Sequence, residues 1–244
     1  MDERRSLNHP VKERRSWLHG VMLYNPRMFN LPLFPLNTVL FPGLPLKLNI
    51  FEPRYKQMLQ RCLETGEMFG VVLIKRGREA LGPLADPHLI GCMAKLVQVE
   101  QTPDERYDIT SVGRDRFRIV SLDRTTYPYL SGTAETFPIV GQDQSALQTA
   151  DRQLRPWVGR YFDVLSEATN TQMDARYLPN DPLALAFLAT YLLQIPSEAK
   201  QKVLEIEQAD HLVTYVRELF RREVALLKRI TQTEGKNQPG FWLN

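Results

Sequence analysis

The sequence predicts an α+β chain, with a β-rich first half carrying one embedded helix and a helical second half. Three observations carry that prediction. From Leu31 to Leu122 the apolar residues fall in short runs punctuated by Pro and Gly, the pattern of strands and turns. Inside that region Tyr55, Met58, Leu59, Cys62 and Leu63 recur at i, i+3, i+4, i+7 and i+8, one stripe of a helix. After Val140 the spacing turns helical and stays so to about Thr231.

Residues 1–28 show no sustained period, and Trp17, Leu18, Val21, Met22 and Leu23 suit at most a short turn or docking arm. The segment reads as a flexible basic extension. Six Lys/Arg against three Asp/Glu in Met1–Asn30 account for the whole formal charge of +3, so the rest of the chain is formally neutral. A neutral body argues against a protein built to grip phosphate backbones.

Pro32, Pro35, Pro42 and Pro45 prevent Leu31–Leu46 from being one regular strand. Short strand pieces are expected, with Pro42-Gly43 as the main turn. A helix follows over 53–65, with Pro53 in its first turn and Gly66 just past its end. Met68–Lys75 reads as a buried strand and residues 76–87 as loop. Leu89–Glu100 and Tyr107–Val112 make a hairpin around Pro103-Asp104. Arg116–Leu122 and Tyr127–Pro138 supply the last strands.

In the second half, Ala146–Ala168 is helical with a kink or break expected near Arg155, ahead of Pro156. Asp181-Pro182 is a strong helix start, and LALAFLATYLL after it is apolar nearly all round, the buried centre of a bundle. Ile195-Pro196-Ser197 ends that helix and caps the next, Glu198–Gln208. Asp210–Thr231 turns Leu212, Val213, Val216, Leu219, Phe220, Leu227 and Ile230 to one face, with a Glu218–Arg222 pair on the other. Residues 232–244 are a polar tail.

The phrases LPLFPLNTVLFPG and LNIFEPRYKQML, with GCMAKLVQVEQTPDERYDITSVGRDRFRIV further on, resemble the Lon protease N-terminal, substrate-binding domain. IFEPRYKQM, residues 50–58, is the most specific piece. The resemblance implies a PUA-like β pseudobarrel over 29–139 and a helical bundle over 140–231, with a cleft between them. It also implies a module that recognises polypeptides, unfolded or damaged ones among them. No GxxxxGK[ST] occurs, and 244 residues leave no room for the family's ATPase and Ser–Lys protease modules. The expectation is therefore a stand-alone recognition module, carrying the peptidase family name without peptidase activity and using no ATP or other cofactor.

Chemistry-bearing motifs are sparse. His9, His19, His88 and His211 are scattered without metal spacing, and no GxSxG occurs. No catalytic, metal or cofactor site is predicted, and the protein is not expected to be an enzyme. Cys62 and Cys92 read as reduced core residues, and no apolar run is long enough to span a bilayer, so a cytoplasmic protein without membrane contact is expected. Three clusters remain. Phe34, Leu40, Phe41 and Leu44 lie in the proline-broken run and are either core residues or candidates for an exposed polypeptide-binding surface. On that reading Phe41→Asp weakens peptide capture without unfolding the chain. Glu52, Arg54 and Tyr55 sit at a strand–helix junction that suits either a ligand or a helix-end ion pair with Tyr55 packed on the sheet. Arg114, Arg116 and Arg118 alternate along one strand and so share a face, which either pairs with carboxylates across the sheet or, as in other PUA-like folds, binds anions or RNA.

Overall fold

The computed structural model describes residues 16–18, 21–23, 28–141, 143–169 and 178–234. Within the expected 1–28 extension, β1 (Ser16–Leu18) and β2 (Val21–Leu23) pair as a small antiparallel ribbon, an element the sequence did not signal. The other residues of that extension before Met28, and the 235–244 part of the tail, lie outside the described ones.

The β lobe runs through β3 (Met28–Leu36), β4 (Pro45–Ile50), α1 (Pro53–Thr65), β5 (Phe69–Arg76), β6 (Asp86–Pro87), β7 (Ile90–Gln101), β8 (Tyr107–Asp123) and β9 (Ser131–Thr136). The order β3-β9-β8-β7-β5 returns to β3 through a parallel β5–β3 pairing, so five strands close into a ring. β4 adds to β8, and β6 to β5. Closure leaves no free edge on those five strands along the paired stretch.

β3 passes through two prolines by changing partners. Met28–Pro32 pair with β9 and Leu33–Leu36 with β5. Leu33 N–H donates to Leu130 C=O at 2.8 Å. Strand alternation turns the Pro35 nitrogen to that same side, beyond Ser131 where the β9 ladder has ended. It turns the Pro32 nitrogen to the opposite side, ahead of the β5 ladder. Neither missing donor falls where a ladder needs it. The Pro42-Gly43 turn forms as expected, with Gly43 at φ 78°. Gly43 N–H and Gly113 C=O, and Gly113 N–H and Leu44 C=O, then pair at 2.9 Å each. That lacing brings the Phe41 carbonyl within 2.1 Å of where a side chain on Gly113 would begin.

α1 forms with the predicted bounds, Pro53 at its start and Gly66 in the left-handed region at its end. Tyr55, Met58, Leu59 and Cys62 are buried against the sheet with Phe34, Leu36 and Phe69. Leu63 is exposed instead, because it lies about 80° around the helix axis from Tyr55, at the stripe's edge. The two strands expected at 107–112 and 116–122 are one 17-residue strand, β8, held through Gly113 by β7 on one side and by β4 then β9 on the other.

The helical lobe contains α2 (Gln144–Thr169), α3 (Pro182–Leu192), α4 (Ser197–Glu205) and α5 (Ala209–Glu234). α2 runs unbroken through Pro156. The lost hydrogen bond is outweighed by Leu154, Val158, Tyr161 and Phe162, all buried in the bundle core. Asp181 caps α3 as predicted, its carboxylate accepting from Ala184 N–H at 2.7 Å. Ser197 does not cap α4. Its hydroxyl donates to Asn37 C=O at 2.7 Å, tying the bundle to the loop after β3. Glu218 pairs with Arg217 at 2.8 Å and Arg221 at 3.0 Å, not with Arg222. The largest core joins the lobes: Val39, Phe41, Leu73, Ile90 and Phe137 pack with residues of all four bundle helices.

Cys62 and Cys92 are free and buried. Burial pushes the Cys62 thiol up to about 11 and the Cys92 thiol to about 12. At pH 8 both should resist alkylation in the folded chain and react together on denaturation, read by intact mass. Gly113→Ala should lower stability by about 3 kcal/mol by forcing the Phe41 carbonyl away. Gly43→Ala, strained only in φ, should cost about 1 kcal/mol. Urea unfolding of the two variants checks both values.

Candidate functional site

The lobes meet along β8 and the segment after β9. Arg116, 4% exposed, sends its Nη1 to the carbonyls of Leu204 and Ile206, at 2.6 Å each, at the end of α4. Its Nη2 is buried without a hydrogen-bond partner, and the guanidinium rests over the Phe137 ring at 4.7 Å. Burial pulls the Arg116 pKa down to about 10, so it stays charged at neutral pH. Arg118 lies over the same ring at 4.5 Å and pairs with Glu135 at 3.3 Å and Glu207 at 3.2 Å. His88 sits between Glu198 and Glu205 of α4, at 3.2 and 3.5 Å, and Gln201 donates to Ile90 C=O at 3.0 Å.

These contacts correct the reading of Arg114, Arg116 and Arg118 as an anion- or RNA-binding face. Arg116 is buried and committed to two carbonyls, and Arg118 has two carboxylates. Arg114 alone is left exposed. The pairing alternative holds for Arg118, while Arg116 uses backbone carbonyls that the sequence did not point to.

Beside this joint lies a cleft of about 670 Å³. One wall is the β lobe, with Pro42, Gly43 and the hydrogen-bonded neighbours 114–116 and 136–139; the other is the first turns of α3, with Asp181, Leu183, Ala184 and Phe187. Phe187 stacks on Phe41 with ring centroids 5.5 Å apart, which closes the floor. Half-buried Ile139 and Leu183 give an apolar lining, and exposed Arg114 and Asp115 sit at the rim. The cleft is larger than the groove between α1 and the β7–β8 hairpin, about 460 Å³. It also sits at a junction of lobes, where ligand sites concentrate.

Phe34, Leu40 and Phe41 are core, at 5%, 3% and 0% exposure, so of the two readings of this run the core one holds for them and the exposed surface does not. The reason is the path of β3 and its loop. β3 is covered on both faces, Leu31 and Leu33 in one core cluster and Phe34 and Leu36 in another. Leu44, half-buried, packs against the core that joins the lobes. Phe41→Asp would place a charge in that core, so it would unfold the chain rather than spare it.

Glu52, Arg54 and Tyr55 come together as the sequence suggested, but around the chain's own loop. Glu52 and Arg54 pair at 3.0 Å. Glu52 accepts from Leu81 N–H at 3.3 Å, and Arg54 donates to Gly82 C=O at 3.1 Å. Tyr55 stacks on Phe34 at 4.1 Å, and burial pushes its phenol up to about 12. Glu52 makes no side-chain cap on α1. The junction's polar groups hold the loop, a role the pair's position alone does not signal.

Among the described residues no group of His, Cys, Asp and Glu could hold a metal ion, and no helix is long and apolar enough to cross a membrane. The residues that line the cleft were not signalled as a site: Pro42-Gly43 stood out in the sequence as a turn, Arg114 and Arg116 as part of an arginine strand, and Asp181 as a cap.

A family model described as the ATP-dependent protease La (LON) substrate-binding domain matches residues 30–222. The Lon protease of Anaeromyxobacter dehalogenans is 25% identical over 204 residues, 81% of this chain and 24% of the relative. Lon protease 2 of Myxococcus xanthus matches at the same identity and shares. The chain thus spans about a quarter of the length of these relatives. Among solved structures, the N-terminal domain of Mycobacterium avium complex Lon protease superposes with a TM-score of 0.56 at 15% identity, over 79% of this chain and 98% of that one. The Lon N-terminal domain protein of Xanthomonas campestris gives 0.50 at 21%, over 76% and 95%. At these identities the likeness is one of fold.

Arg116→Ala leaves two carbonyls at the end of α4 unpaired and should cost about 3 kcal/mol. Arg114→Ala, at the exposed rim, should change stability by less than about 0.5 kcal/mol. Urea midpoints of the two variants separate a joint from a surface.

Proposed function

This chain belongs to the LON substrate-binding domain family, and on that footing we propose that it is a polypeptide-binding module that works without catalysis or ATP. The observation that carries the reading is the cleft between the lobes. Its volume of about 670 Å³ suits a few side chains of an extended segment. Ile139, Leu183 and Pro42 offer apolar contact, and the Phe41–Phe187 stack supports them from behind. Unfolded or damaged chains expose the apolar side chains that such a lining selects.

The sequence contains neither a Walker phosphate loop nor a nucleophile elbow, which supports a binding role rather than peptidase or ATPase chemistry. Two free, buried thiols support a reducing, cytoplasmic setting.

Leu183→Asp and Ile139→Asp test the reading, because both side chains are half-buried at the cleft and pack on the edge of the core rather than within it. With a fluorescein-labelled peptide rich in Leu and Phe, each variant should bind about tenfold more weakly, near 1.4 kcal/mol, while still melting cooperatively at a lowered temperature above that of the assay. Leu63→Asp, outside the cleft, should bind as the parent does. Undiminished capture by both folded cleft variants, or cleavage of the peptide by pure protein, overturns the proposal.

A further inference from the structure

A second groove, sharing no residue with the cleft, runs between α2 and α5. It has a volume of about 500 Å³ and is lined by Gln153, Pro156, Trp157, Arg160, Arg217 and Arg221. Trp157 is half-buried against the bundle core. Over its indole lie two guanidinium groups, Arg160 at 4.5 Å and Arg221 at 5.8 Å. Arg217 is held by Gln153 and by Glu218 at 2.8 Å, and Arg221 shares that Glu218 carboxylate at 3.0 Å. Among the described residues no carboxylate pairs with Arg160.

Three guanidinium groups therefore face one carboxylate. The hydrogen bond from Arg217 holds Glu218 below the usual carboxylate range, so it is ionised and still leaves cations in excess. Cations collected on one ring repel each other, and the ring's quadrupole offsets only part of that. An incoming oxyanion would offset the rest. The stacking also orders the planar forks beforehand, so less side-chain entropy is lost when an anion arrives.

We propose that this groove binds an acidic polypeptide segment, whose Asp or Glu carboxylates pair with Arg160 and Arg221. A nucleic acid is the less fitting occupant. The groove's one aromatic ring, which would stack a base, already carries guanidinium groups. The chain beyond its first 30 residues is formally neutral, without the extended positive band that tracks a phosphate backbone. The proposal does not depend on the cleft: it takes different residues and the opposite peptide chemistry.

The test is fluorescence anisotropy with the full chain at low ionic strength. The probes are a labelled Glu/Asp-rich peptide, its Gln/Asn counterpart and a single-stranded oligonucleotide of similar length. The acidic peptide should bind and the neutral one should not, and added salt should weaken binding. Arg160→Gln with Arg221→Gln should weaken it by about tenfold or more at an unchanged melting temperature. Capture of the Leu/Phe-rich peptide should be unaffected. Arg160→Gln alone removes a side chain whose contact here is with the ring, so it should fold and still lose about threefold. No binding of the acidic peptide, equal binding by the single and double variants and the parent, or tighter binding of the oligonucleotide through the same arginines would overturn the proposal.

Discussion

One buried guanidinium sets the geometry between the two lobes. Arg116 projects from β8 and ends on two carbonyls at the end of α4, Leu204 in its last turn and Ile206 just past it. Those carbonyls carry the negative end of the helix dipole and have no partner within the helix. Burying a cation costs several kcal/mol, and two charge-assisted hydrogen bonds with an aromatic face roughly offset that. The net gain in stability is therefore small, but the geometric demand is strict. If α4 shifts, the charge is left buried without its acceptors. Ser197 on Asn37 and Gln201 on Ile90 repeat that demand at two further points along α4. With α4 held, the bundle that contains α3 is oriented, and so is the wall of the cleft.

The β lobe meets its own constraint in β3. A strand buried on both faces needs a continuous apolar sequence, and this one carries two prolines as well. Dividing its ladder between β9 and β5 satisfies both requirements, because each proline nitrogen faces a side with no partner at that point. The same switch completes the ring. Gly113 plays a comparable part on the opposite side, where β8 must pass so close to the Phe41 carbonyl that any side chain would collide.

Much of the fold was legible because local chemistry and tertiary packing agree. Pro53 and Gly66 bound α1, Asp181-Pro182 starts α3, and Pro42-Gly43 turns as their backbone preferences require. The resemblance in IFEPRYKQM pointed to the same architecture. What was not legible depends on partners distant in sequence. Alternation of Arg114, Arg116 and Arg118 says which side of a strand each takes, but not that helix carbonyls 88 and 90 residues away wait for Arg116. The Trp157 groove was equally hidden, since Arg217 and Arg221 come from a helix some 60 positions further along. A run rich in Leu, Phe and Pro does not state whether prolines expose its side chains or whether the chain covers both faces.

That last ambiguity bears on how the cleft between the lobes is built. Flanking prolines leave Phe41 open to either a core or a surface reading in the sequence. It is fully buried and stacked on Phe187, behind the lining formed by Pro42, Ile139 and Leu183. An apolar cleft that stays open to solvent needs rigid support, since half-buried side chains left free would collapse onto one another. The Phe41–Phe187 stack supplies it from below, and the Gly43–Gly113 lacing fixes the turn that carries Pro42. The buried part of the proline-rich run thus shapes the cleft from behind, while its Pro42-Gly43 turn lines it. It supports the wall of a cleft whose exposed groups come from Pro42-Gly43, the segment after β9 and the start of α3.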